Sequence, residues 1–236
     1  MAIYLTSDLH GFSASKFKQL LKVLGFGKSD WLFVLGDVID RNGDGGISLL
    51  LWMMNQPNVC VIRGNHEQML LDNRWIFDEV TKQSVNQLNS EKLQNFNVWT
   101  LNGGAPTINS LKKLKDENKD LLFDLIDYIE QTPLYEVIDI NNKSFVLCHS
   151  GFDGFDKNKK LCAYLPHQIL WNRPNPNDKY FENALTIIGH TPTALFGAKG
   201  KAFHTDTWID IDVGVSKDNP PMFLRLDDMQ EFYFNN

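Results

Sequence analysis

The chain has 236 residues, 43% of them hydrophobic, with a formal net charge of −6, enough apolar material for one sizeable core and too acidic a balance for a nucleic-acid-binding protein. Three cysteines (Cys60, Cys148, Cys162) are too few, and oddly numbered, for a disulfide framework. No apolar run approaches the ~18 residues of a membrane span and no charged leader precedes the first strand, so a cytoplasmic protein with no membrane partner is expected.

In chain order, apolar runs at residues 2–5, 31–35 and 59–62 predict buried strands, with helices at 13–24 and 46–54 between them. The second helix (Ile47-Ser-Leu-Leu-Leu-Trp-Met53) is apolar enough to pack on a sheet. From about residue 68 to 132 the pattern becomes helical and more polar, in stretches 72–85, 90–99 and 111–130 broken at Asn102-Gly-Gly-Ala-Pro106. No repeat or linker marks a second domain, so the expectation is one domain over 1–236 carrying a helical cap. Trp75, Phe77, Phe96 and Trp99 read mostly as packing that cap onto the sheet, with lining of a groove for a peptide or base as the alternative for a minority of them. Strands follow at 145–147, 185–188, 208–213, 222–226 and 231–234. Their alternation predicts an α/β (α+β) chain with mixed sheet buried on one face.

Polar residues cluster where these strands end: Asp8-Leu-His10-Gly, Gly36-Asp37-Val-Ile-Asp40-Arg41, Gly64-Asn65-His66-Glu67, His149-Ser-Gly151 and Gly189-His190-Thr. In open α/β sheets the C-terminal strand edge is where ligands bind. Singly, these residues read as loop or helix-cap groups, and Glu67 as a carboxylate favourable to a helix N-terminus. As an ordered set, they mix carboxylates, imidazoles and an amide, donors that suit Mn, Fe or Zn better than Mg or Ca. Asp37, central in the order, is the candidate to bridge two ions ~3.5–4 Å apart.

These motifs resemble those of the phosphoprotein phosphatase branch of the calcineurin-like metallophosphoesterases. The family's GDxHG, GDxxDRG, GNHE, HAG/HGG and GHT stand here as Ser7-Asp-Leu-His-Gly11, Gly36-Asp-Val-Ile-Asp-Arg-Asn42, Gly64-Asn-His-Glu67, His149-Ser-Gly151 and Gly189-His-Thr191. The small bacterial and phage Ser/Thr phosphatases are nearest in length and in Leu170-Trp-Asn-Arg173, and the symmetrical diadenosine tetraphosphatases share much of the pattern. The resemblance implies a four-layer fold, a two-sheet mixed β-sandwich flanked by helices. It implies two divalent metal ions as cofactors, one held by Asp8, His10 and Asp37 and the other by Asp37, Asn65, His149 and His190, with Mn expected for activity in vitro and Fe or Zn as alternatives. It further implies direct attack by a hydroxide held between the metals. His66 matches the general acid, and Asp40 the carboxylate that orients it. Arg41 and Arg173 match the guanidiniums that grip the phosphoryl group, and Arg63 a further phosphate contact. The expected substrate partner is a phosphorylated protein or peptide, with a dinucleoside polyphosphate as the alternative. Asn42 replaces the glycine of DRG; Asn tolerates a left-handed backbone, so the turn is expected to survive with Asn42 at positive φ.

Overall fold

The computed structural model describes residues 1–216 and 219–234. Three parallel strands come first: β1 (Ile3–Thr6), β2 (Trp31–Val34) and β3 (Val59–Val61), paired in the order β1-β2-β3. The crossovers carry α1 (Ala14–Leu24) and α2 (Ile47–Met53), as the alternating apolar runs predict. Ser13 caps α1 by accepting the Lys16 N–H, and Gly25 ends it in the left-handed conformation that a residue without Cβ adopts at least cost.

The insert is five helices among the described residues: α3 (Asn65–Asp72), α4 (Lys82–Asn86), α5 (Ser90–Leu101), α6 (Ala105–Glu117) and α7 (Lys119–Gln131). The stretch expected as one helix over 111–130 is two. Asn118 breaks it with φ −157 and ψ 91, and its side chain restarts the helix by accepting the Leu121 N–H. The apolar face of α7 (Leu122, Leu125, Ile126, Ile129) and Trp99, Ile108 and Leu111 of α5 and α6 share one buried core with Leu49, Leu50 and Leu70.

A second sheet opens with a hairpin that the sequence pattern only half predicts: β4 (Tyr135–Ile140) pairs antiparallel with β5 (Lys143–Cys148). Its two-residue turn, Asn141-Asn142, has φ values of 50 and 62, the geometry that favours asparagine in a tight hairpin. After α8 (Pro166–Leu170) come β6 (Ala184–Ile188), β7 (Phe203–His204) and β8 (Trp208–Asp210), giving the order β4-β5-β6-β8-β7. The chain then returns to the first sheet with β9 (Phe223–Arg225) and β10 (Gln230–Phe232), which complete the order β10-β9-β1-β2-β3.

The two sheets pack face to face. Phe145, Leu147, Ile187 and Ile209 lie in the same core as Leu5, Val34, Val61 and Leu224 of the first sheet. The alternate residues Val146, Cys148, Ile188 and Trp208 point the other way, into a smaller cluster with Phe152, Tyr164 and Tyr180. This is the two-sheet α/β architecture expected from the motifs. Its consequence is that the C-terminal ends of β1, β2, β3, β5 and β6 deliver their following residues to one place.

Candidate metal centre

Leaving the strands, the backbone turns sharply at the residues that carry chemistry. Asp8, His10, Asp37, Asp40, Arg41 and His190 all have φ between 41 and 76, a left-handed region that non-glycine residues occupy at a cost of order 1 kcal/mol each. Strand-end hydrogen bonds hold them there: Asp8 N–H to Gly36 O (3.2 Å), His10 N–H to Asp37 O (2.8 Å) and Gly11 N–H to Val38 O (2.9 Å). Glu67 ties the second loop to the helix after the third strand. Its Oε2 accepts the N–H of Asp37 (2.8 Å) and of Gly64 (2.9 Å), and its Oε1 those of Val38 (2.9 Å) and Ile39 (3.3 Å).

The side chains converge. His10 Nε2 lies 3.9 Å from Asp8 Oδ1 and 3.7 Å from Asp37 Oδ2, and His149 Nε2 lies 3.4 Å from Asp37 Oδ1 and 2.9 Å from Asn65 Oδ1. Two groups of buried side chains have ligand atoms within 4.8 Å of one another: His10, Asp37 and His66, and Asp37, His149 and His190. Both contain Asp37. Geometry thus places His66 as close to Asp37 as His10 is, with Nε2 3.8 Å from Asp37 Oδ2.

Three observations test whether these groups fit cations. First, His149 Nδ1 donates to the Leu35 carbonyl at 2.6 Å, so the neutral ring turns an Nε2 lone pair towards Asn65 Oδ1, acceptor against acceptor. Second, Asp8 Oδ1 and His190 Nε2 are buried with no hydrogen-bond partner. Third, burial drives Asp8, His10, Asp37, His149 and His190 towards neutrality. Desolvation, and then the nearby Asp212 and Asp8 carboxylates respectively, push the carboxyls of Asp8 and Asp37 well above the usual range. Desolvation pulls His149 down to about 3 and, with the neighbouring His149 and Arg173, His190 down to about 2. Neutral imidazoles facing crowded carboxylates are a donor set that a divalent ion would satisfy. The residues present fit.

Beside this set, His66 Nδ1 and Asp40 Oδ2 are 2.6 Å apart, and the Arg41 guanidinium reaches His66 Nε2 at 3.4 Å. Arg173 is exposed, and its Nη1 donates to the His190 carbonyl at 3.4 Å. Two expectations need correction. Arg63 does not face this cluster: its guanidinium donates to the carbonyls of Glu130 (2.5 Å) and Thr132 (3.0 Å), to Gln68 Oε1 and to Thr132 Oγ1, which tie the end of α7 to the first sheet. Asn42 is not at positive φ. Asp40, Arg41 and Gly43 make the left-handed turn, and the Asn42 amide instead donates to His10 O at 2.9 Å.

Sequence reading missed Asp210 and Asp212. Both are buried; Asp210 Oδ1 accepts the Asp212 N–H at 2.8 Å, and Asp210 Oδ2 has no partner. Read as the polar half of an alternating strand, they instead stand at the end of β8, where the other strands also turn polar. His204, outside every motif, pairs with Glu231 at the surface, 2.5 Å away.

The sequence model of the calcineurin-like phosphoesterases matches residues 1–212. The chain belongs to this family. A calcineurin-like phosphoesterase is a metal-dependent hydrolase, and the buried imidazole and carboxylate groups are where this one can hold metal. Serine/threonine-protein phosphatase 2 of Salmonella typhimurium is 25% identical over 197 residues, 83% of this chain and 78% of the relative. The symmetrical bis(5′-nucleosyl)-tetraphosphatase of Wigglesworthia glossinidia brevipalpis is 39% identical over 72 residues, 30% of this chain and 26% of the relative. A solved chain, provisionally assigned as a diadenosine tetraphosphatase, shares the fold of this phosphoesterase with a TM-score of 0.62 at 13% identity, over 99% of this chain and 92% of that one. Among the described residues no helix is long and apolar enough to cross a membrane.

Proposed function

We propose that this phosphoesterase is a dinuclear Ser/Thr protein phosphatase, with Asp8, His10 and Asp37 holding one divalent ion and Asp37, Asn65, His149 and His190 the other. The observation that carries the reading is the pair of buried donor groups sharing Asp37. When bound, such ions supply Lewis acidity towards phosphoryl oxygens and a water of lowered pKa. Mn is the ion to load first; Fe and Zn suit the same donors.

The chain's own residues do the rest. Arg41 beside His66 and Arg173 beside His190 offer planar donor forks to the phosphoryl oxygens. His66 presents Nε2 to the leaving oxygen and gives it a proton as the P–O bond breaks. Asp40, 2.6 Å from Nδ1, fixes the orientation of the ring. No side chain need be phosphorylated. Support for a phosphoprotein substrate comes from the relative aligned along most of this chain; the dinucleotide reading is supported by the higher identity of the shorter match.

The deciding experiment measures kcat/KM of the Mn-loaded protein on a phosphothreonine peptide and on diadenosine tetraphosphate, beside a metal-stripped control. Preference for the peptide is expected; preference for the dinucleotide with release of ADP would replace this reading. Asp37→Asn is expected to lose bound metal at both sites. His66→Asn should keep its metal and lose about 10²–10⁴ in kcat on the peptide.

A further inference from the structure

The helical insert, whose aromatic residues read from the sequence as packing onto the sheet, also contacts the candidate site. It reaches Asp40, the carboxylate on His66. Asp40 Oδ2 accepts two hydrogen bonds, from His66 Nδ1 (2.6 Å) and from Trp99 Nε1 (2.9 Å), while Oδ1 accepts from Thr107 Oγ1 (2.6 Å). Thr107 Oγ1 also accepts the Asp40 backbone N–H at 3.0 Å. Asp40, Trp99 and Thr107 are each 0% exposed and His66 is 1% exposed, so no solvent can take over these bonds. Two of the three side-chain donors to this carboxylate therefore come from α5 and α6 of the insert.

The corner between those helices is shaped for the purpose. The Gly103 carbonyl accepts the Arg41 N–H at 2.9 Å, so the insert also holds the residue after Asp40. Gly104 lets the indole lie against the chain: a Cβ there would sit 2.7 Å from Trp99 Nε1. Asp40 at φ 76 and Arg41 at φ 66 are backbone conformations that need outside support, and the corner provides it.

We propose that Trp99 and Thr107 are positioning residues for proton donation, locking the Asp40 carboxylate in the orientation that aims His66 at the leaving oxygen. The inference rests on the reading of His66 as general acid. In the step concerned, a hydroxide oxygen bonds to phosphorus, the P–O bond to the substrate breaks, and the departing oxygen takes the His66 Nε2 proton; the ring regains a proton from the next water, which supplies the next hydroxide. A serine or threonine alkoxide needs that proton; p-nitrophenolate, a weak base, leaves without it. Loosening Asp40 therefore has a signature that general damage to the fold lacks.

The test compares Trp99→Phe, Thr107→Val and Thr107→Ser with His66→Asn, all Mn-loaded with metal content measured, on a phosphothreonine peptide and on p-nitrophenyl phosphate. Trp99→Phe and Thr107→Val are expected to lose about 10–100-fold in kcat on the peptide, within the range of acid–base effects. Their loss on the aryl ester should be under about 3-fold, with metal content and KM little changed, and Thr107→Ser should recover most of the activity. Equal losses on both substrates, or none, would overturn the proposal. If His66→Asn shows the leaving-group bias and these variants do not, the positioning role alone falls. If His66→Asn shows no bias either, the general-acid reading falls and takes this one with it. Independently of folding in the variants with altered helices, the Trp99 indole N–H of the metal-free protein should give a downfield, slowly exchanging proton resonance that Asp40→Asn shifts. A resonance unmoved by Asp40→Asn would also overturn the proposal.

Discussion

Asp212 shows what the site costs without its ions. Burial pushes its carboxyl up to about 6, against the donation of the Gly214 N–H and the nearby Arg41 and Arg173, and its charge in turn disfavours ionised Asp8. In the unfolded chain the group titrates near 3.8, so between about pH 4 and 6 the folded state holds the extra proton. Its ionisation therefore costs stability as pH rises through that window, and the cost is complete above it. Asp212→Asn should stabilise the metal-free protein at pH 8 by on the order of 2–3 kcal/mol, several degrees in Tm. Below about pH 4 the difference should vanish; thermal unfolding of both proteins across this range is the check. The candidate ligands were legible in the sequence because each follows an apolar run and none has an apolar reason to be there. Asp210 and Asp212 were hidden by the same logic, since alternation with Ile209, Ile211 and Val213 imitates a strand with a solvated face. Arg63 stands beside a motif, yet nothing local in sequence foretold the carbonyls of Glu130 and Thr132 that bind it.

Strands here act mainly through their ends. The loop after β6 reaches the loop after β1: His190 N–H donates to Asp8 Oδ2 at 2.9 Å, and Ser7 Oγ donates to the same oxygen. Gly189 makes this approach possible, for a Cβ there would lie 2.2 Å from Asp8 Oδ2. Gly189→Ala should displace Asp8 and weaken metal affinity by about 10–100-fold, the range seen when groups supporting metal ligands are disturbed. Gly27→Ala, whose Cβ would find only an ordinary 3.8 Å contact, should leave it unchanged. Calorimetric Mn titration separates the two. Periodicity located α1, α2 and the parallel strands well, because each has one apolar run and a turn signal beside it. The α6–α7 break depends on the backbone at Asn118 amid continuing helical periodicity, and β4 carries Glu136 and Asp139 on an edge strand, where a hydrophobic pattern is weakest. One contact of the insert was hidden for a related reason: Trp99 is as buried as any core aromatic, and its packing conceals that its N–H is directed at Asp40.

For the whole molecule, two sheets share a core and bring their C-terminal strand ends together, so that Asp8, His10, Asp37 and Asn65 from one face His149 and His190 from the other. The architecture holds left-handed loops, neutral buried imidazoles and crowded carboxyls in one place, an arrangement that favours the folded state fully only once positive charge is supplied. Ions that bind the native fold and not the unfolded chain must raise its stability. We propose that this convergence is a two-ion hydrolytic site centred on Asp37. It is tested most directly by counting tightly bound Mn per chain after loading and desalting, for the unaltered protein and Asp37→Asn, alongside phosphatase activity. Two ions are expected in the first protein and a deficit at both sites in the second, with activity following occupancy. One ion or none with full phosphatase activity, or two ions retained by Asp37→Asn, would contradict it.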